Sequence, residues 1–117
     1  MTLQKSDLES IMQRITEKLS ADTNSNLRKI MLYGSYARGD FTENSDVDIM
    51  VLVDDPSPNS IYAIIRSDLS SLEDNFPVMI SCHFQNHDHF YGALNSTSFY
   101  KNIEREGVVY YDSATRH

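Results

Sequence analysis

The chain's 117 residues, 40% hydrophobic and 23% charged, suit one globular domain over residues 1–117 and leave little room for a second. A net charge of -7 argues against an extended nucleic-acid surface, which needs lysine and arginine to displace counterions, but still admits a small phosphorylated ligand held through a cation. No stretch approaches the ~20 apolar residues of a membrane span, the N-terminal segment is amphipathic rather than signal-like, and the lone Cys82 reads as a buried free thiol, so a cytoplasmic protein is expected.

Ser6 and Glu9 have the form of a capping box, and Leu8, Ile11, Met12, Ile15 and Leu19 then recur at helical spacing. This predicts a first helix over about residues 6–20. ADTNSN, residues 21–26, reads as a polar turn, and LRKIMLY, residues 27–33, as a short strand running into Gly34 and Ser35. After a loop, DVDIMVLVD, residues 46–54, has the β-branched content and length of a strand buried on both faces. Ser57 and Pro58 suit an N-cap and a first helical position, and Ile61, Ile64, Ile65, Leu69 and Leu72 mark a second helix. VMISCHF reads as a third strand and NHDHFYGALN as a loop or short helix. STSFYKNIERE reads as a last helix stopped by Gly107, and VVYY as a short strand before a frayed tail.

Asp46 and Asp48 lie two residues apart, so on a strand their side chains share a face. Carboxylates held that close raise each other's pKa unless a cation sits between them. Oxygen donors of this kind select Mg2+ or Mn2+, and magnesium commonly takes one or two protein carboxylates together with substrate phosphates. Alone, an Asp-x-Asp at a strand edge is more often a solvated turn. Here it follows Gly34 and Ser35 with ten residues between Ser35 and Asp46. Gly34 lets the backbone approach a ligand, and Ser35 adds a hydroxyl at a turn into a helix whose free N–H groups favour phosphate. Gly39 permits a turn after Arg38, which either faces phosphates or pairs with local acids. Asp40 and Glu43 read as loop solubilisers, and Tyr36 as core filler or a base-stacking ring. His83, His87 and His89 match no structural zinc spacing and read as solvated.

GSYARGDFTENSDVD, residues 34–48, resembles the signature of the DNA polymerase beta-like nucleotidyltransferase superfamily, and the short chain is similar to the minimal nucleotidyltransferases often paired with HEPN proteins. The resemblance implies an α/β (α+β) nucleotidyltransferase fold, a small mixed β-sheet flanked by helices. It implies Mg2+ (or Mn2+) dependence and transfer of a nucleoside monophosphate from NTP, here AMP from ATP, to an acceptor hydroxyl. Gly34 and Ser35 would hold the triphosphate, Arg38 would add a nucleotide contact, and Asp46 and Asp48 would be the catalytic metal ligands. In the HEPN-paired branch the acceptor is a tyrosine of the partner toxin, and the nucleotidyltransferase acts as antitoxin.

One departure stands out. Active members commonly supply a third carboxylate from the next strand, and VMISCHF holds none. Ser81 or His83 stands where it is expected, and Asp88 replaces it only if the chain folds back. The gap supports an alternative reading, a nucleotide-binding domain of weak or no activity that regulates a partner protein by binding. An antibiotic-modifying enzyme is less favoured, because the chain shows no second domain to hold the drug.

Overall fold

The computed structural model describes residues 3–22, 26–55 and 58–114 and opens with helix α1, Lys5–Asp22. Ile11, Met12, Ile15 and Leu19 are fully buried, so the apolar stripe of the sequence is the face that packs. The helix start corrects the capping box expected at Ser6 and Glu9, because Ser6 already lies inside the helix. The Gln4 N–H donates to the Asp7 carboxylate at 3.1 Å, and the Gln4 carbonyl accepts from the Leu8 N–H at 3.0 Å. Gln4 is therefore the cap, and Asp7 is the residue that reaches back to it. Leu3, 4% exposed, and Leu8 enter one apolar cluster on either side of that cap. Their positions are those of a hydrophobic staple, which fixes the chain's entry ahead of the serine.

The remaining elements are β1 (Leu27–Tyr33), α2 (Ser35–Arg38), β2 (Val47–Val53), a 3₁₀ turn (Pro58–Ile61) and α3 (Tyr62–Asn75). Then come β3 (Ile80–Asn86), α4 (His87–Gly92), α5 (Ser98–Glu106) and β4 (Val108–Asp112). Residues 23–25 of the turn expected at 21–26, and the expected N-cap at Ser57, lie outside the described residues. Pro58 opens the 3₁₀ turn, and α3 proper begins at Tyr62. The four strands order as β3-β2-β1-β4, with β1 antiparallel to both β2 and β4, and β2 parallel to β3. A parallel pair needs a crossover, and α3 supplies it.

β2 is apolar throughout because it serves two cores. Val47, Ile49, Val51 and Val53 enter a cluster shared with α1 and α3, whereas Met50 and Leu52 join Met31, Tyr33, Phe90 and Ile103 in a second cluster shared with α4 and α5. Each fully buried aliphatic side chain contributes roughly 1.5–3 kcal/mol. Strand alternation puts Asp48 in the Met50–Leu52 row, so the one acid inside β2 faces the α4–α5 side at the end of the sheet.

Gly107 does end α5, though not by a left-handed turn, since its φ is -65°. A Cβ there would stand 2.5 Å from the Ile103 carbonyl oxygen, which accepts the Gly107 N–H at 2.7 Å. The expected frayed tail is tied at its start, where the Ser113 N–H donates to the Arg28 carbonyl at 2.9 Å; residues 115–117 lie outside the described residues. Among the described residues no helix is long and apolar enough to cross a membrane.

Candidate functional site

The site is built where β1 stops. Tyr33, its last residue, sits opposite Asp48 in the ladder, and Gly34 follows with φ 77° and ψ -157°, a conformation open essentially only to glycine. A Cβ on Gly34 would run into the Asp48 carboxylate, with Asp48 Cγ 3.2 Å away. Backbone and carboxylate are thus in direct apposition, and only the absence of a side chain at residue 34 allows it. Ser35 opens the single turn of α2, in which the Gly34 carbonyl accepts from the Ala37 and Arg38 N–H groups at 3.1 and 3.0 Å. Gly39, in the left-handed region at φ 88°, closes the turn by donating its N–H to the Ser35 carbonyl at 2.9 Å.

Asp48 is half-buried, and burial is the main reason its pKa is raised; the Asp46 charge adds to the rise, while His83 and Arg38 oppose it. Asp46 lies one residue ahead of β2, exposed, in a separate 400 Å³ depression shared with Glu73 and Met79. The two acids interact through their charges, and neither carboxylate makes a hydrogen bond or ion pair to a described residue. Paired carboxylates with unused acceptor capacity are a donor set that fits a hard divalent cation. Among the described residues no group of three His, Cys, Asp or Glu side chains completes an all-protein cage.

A 340 Å³ cavity brings Gly34, Ser35, Arg38 and Asp48 together on its sheet side, and Phe99, Asn102, Ile103 and Glu106 of α5 form the opposite wall. Arg38 pairs with acids here: its Nε donates to Asp40 and its Nη1 to Glu106, each at 3.1 Å. Those carboxylates push its pKa up further. Asp40 is accordingly more than a loop solubiliser. Tyr36, 8% exposed, stacks on Phe41 at 4.4 Å, which makes it core filler and removes the base-stacking reading. Asn102 and Glu106 were not foreseen from the motif, although the spacing 99, 102, 103, 106 on a helix marks a single face.

On β3 the residue paired with Asp48 is Ser81, whose Oγ lies 3.2 Å from His83 Nε2. No carboxylate occurs on that strand. Asp88 does not fold back: Asn86 pairs with Val53 at the far end of β2, and the Asp88 side chain beyond it is 86% exposed and 3.0 Å from His87. Burial pushes the thiol of the partly buried Cys82 up to about 12, in keeping with an unreactive cysteine packed against the core.

The family described as Polymerase beta, Nucleotidyltransferase matches residues 13–115. Two proteins of Methanocaldococcus jannaschii, provisionally named protein adenylyltransferases MJ0604 and MJ0141, are 34% and 30% identical over 104 and 103 residues. The alignments cover 88% and 87% of this chain and 97% of each relative. A crystal structure of a toxin-antitoxin with AMP-PNP superposes with a TM-score of 0.58 at 24% identity, over 87% of this chain and 73% of that one. A provisionally assigned nucleotidyltransferase of Sulfolobus solfataricus gives 0.53 at 16% identity, over 96% and 92%. The structural likenesses establish the mixed-sheet fold, and the sequence matches establish descent. By the family match and these two relatives, the chain belongs to the polymerase beta nucleotidyltransferase family and is a minimal nucleotidyltransferase.

Proposed function

We propose that Gly34, Ser35, Asp46 and Asp48 form a metal–nucleotide site from which AMP passes from ATP to a hydroxyl of a partner protein. The observation behind this reading is the apposition of the Gly34 backbone and the Asp48 carboxylate, which puts a side-chain-free approach next to a cation ligand. Asp46 and Asp48 would hold Mg2+ (or Mn2+), which when bound offsets phosphate charge and polarises the α-phosphoryl group. The Ser35 hydroxyl donates to a phosphate oxygen. Arg38 exchanges a carboxylate partner for phosphate, a swap its exposed guanidinium can make without leaving the cavity wall. The acceptor oxygen bonds to the α-phosphorus, the α–β P–O bond breaks and pyrophosphate leaves. The hydroxyl proton passes to a base, and the His83 imidazole, exchanging its Ser81 contact for the acceptor hydroxyl, is the candidate on β3.

A protein acceptor is supported by the names of the two archaeal relatives, and a toxin-antitoxin pairing by the naming of the structural neighbour. Within that pairing the acceptor is a tyrosine of an HEPN toxin, and this chain is the antitoxin. A second reading, a nucleotide-binding regulator without turnover, is favoured by the serine opposite Asp48 where an acid is expected. Recovery of the chain from its host at low salt, followed by incubation of the co-purified protein with labelled ATP and Mg2+, separates the two. Label on a partner tyrosine that disappears with Asp48→Asn supports transfer. A stable unlabelled complex supports the regulator, and a chain recovered alone that modifies a free small molecule contradicts both.

A further inference from the structure

Apart from Glu106, the α5 wall of the cavity has no part in the chemistry above, yet its composition is specific. Ile103, 1% exposed, anchors α5 in the core, while Phe99 on the same helical face belongs to neither apolar cluster and is 50% exposed. Its ring is nevertheless fixed, edge-on to the buried Tyr33 ring at 5.8 Å and 81°. Tyr33 is itself the ladder partner of Asp48, so the ring is held in register with the metal-ligand end of the cavity. Between Phe99 and Glu106 lies Asn102, whose Oδ1 accepts from Arg105 at 2.8 Å. The amide nitrogen of Asn102 has no partner among the described residues. A held aromatic ring with half its surface free, beside an amide with spare donors, is chemistry for the neutral, aromatic end of a nucleotide.

We infer that the exposed face of α5 is the nucleobase wall of this cavity, with Phe99 the stacking surface and Asn102 the reader of an adenine edge. The inference rests on the nucleotide site proposed above and adds to it the groups that choose the base. An amide can accept from adenine N6 and donate to N7 at once, a pairing that guanine, with an acceptor at O6, does not offer. Stacking contributes regardless of base identity, so Phe99 sets affinity and Asn102 sets preference.

The test is calorimetric titration of the full chain with ATP, GTP and inorganic tripolyphosphate in Mg2+. Phe99→Leu keeps an apolar contact for Tyr33 but removes the ring, and it is expected to weaken ATP about tenfold while leaving tripolyphosphate unchanged. Phe99→Trp restores ATP binding. Asn102→Ala narrows a wild-type ATP-over-GTP preference about tenfold, again with tripolyphosphate unchanged. Wild-type ATP affinity in both Phe99→Leu and Asn102→Ala overturns the inference, as does an equal loss for ATP and tripolyphosphate. So does the lack of an ATP preference in the wild type, or a Phe99→Leu defect confined to labelling of the partner, which would make Phe99 an acceptor contact. Asp48→Asn separates this from the underlying reading: a protein whose tripolyphosphate affinity ignores that change lacks the metal–nucleotide site altogether, and both readings fall.

Discussion

Gly34 and Gly39 both have positive φ, but they have different reasons to be glycine. At Gly39 nothing lies within 4 Å of an added Cβ, so a substitution meets only backbone strain. At Gly34 the backbone conformation and the Asp48 carboxylate both exclude a side chain. Gly34→Ala should therefore lower unfolding free energy by about 1–3 kcal/mol from the backbone alone. Urea denaturation reads the change, and a loss under about 0.5 kcal/mol would show that residue 34 is not held against Asp48. Asp48 makes a second prediction. Its folded carboxyl titrates above its ordinary value of 3.8, so between the two values the native state binds more protons than the unfolded chain. Stability contributed by this group then falls as pH rises through that window, the opposite of a salt-bridged acid. In EDTA, Asp48→Asn should melt above wild type at neutral pH, with the gap closing as pH drops into the ordinary carboxylate range. A variant melting below wild type at neutral pH contradicts the assignment. Gly34, Ser35 and Asp48 were legible in the sequence because they lie in one short motif. The Glu106 partner of Arg38, 68 residues away, was not, since only folding brings it there.

Among the elements, β2 read directly from sequence because a strand between two cores has no polar face to interrupt its apolar run. The start of α1 did not, because Ser6 and Glu9 offer a plausible cap while the Leu3–Leu8 contribution and the Gln4–Asp7 bond are tertiary in origin. Gly107 was placed correctly at the end of α5 for a reason the sequence does not contain, its close approach to a carbonyl. β3 is the element that bears on the proposed turnover. Its register sets Ser81 opposite Asp48, so Ser81→Asp puts a carboxylate at the position where the strand lacks one. General-base help is typically worth about 10²–10⁴-fold, and a rise in pyrophosphate release of about tenfold or more is expected from Ser81→Asp. Brisk release by the wild type that Ser81→Asp impairs would show that no acid is missing.

Over the whole molecule, the two faces of the sheet divide the work. α1 and α3 cover one face with the larger cluster, while the other carries the smaller cluster under α4 and α5 and leaves the end of β2 open to a cavity. A polar network ties that thinner layer down: Lys29 Nζ donates to the Tyr91 hydroxyl at 2.7 Å, and Tyr91 donates to Glu104 at 2.9 Å, joining β1 to α4 and α5. The motif singled out Asp46 and Asp48 but not this face, because the side on which Asp48 falls depends on strand alternation and on helices distant in sequence. Asp46 and Asp48 are proposed to make this open end a metal–nucleotide site. Thermal melting with Mg2+ and ATP, for wild type and for the chain carrying Asp46→Asn with Asp48→Asn, is the measurement that decides it. Ligand at about 100 times its dissociation constant adds about 2.7 kcal/mol, so wild type should gain several degrees and the double variant none. Equal ligand-induced shifts in the two proteins would mean that the two aspartates hold no metal–nucleotide ligand.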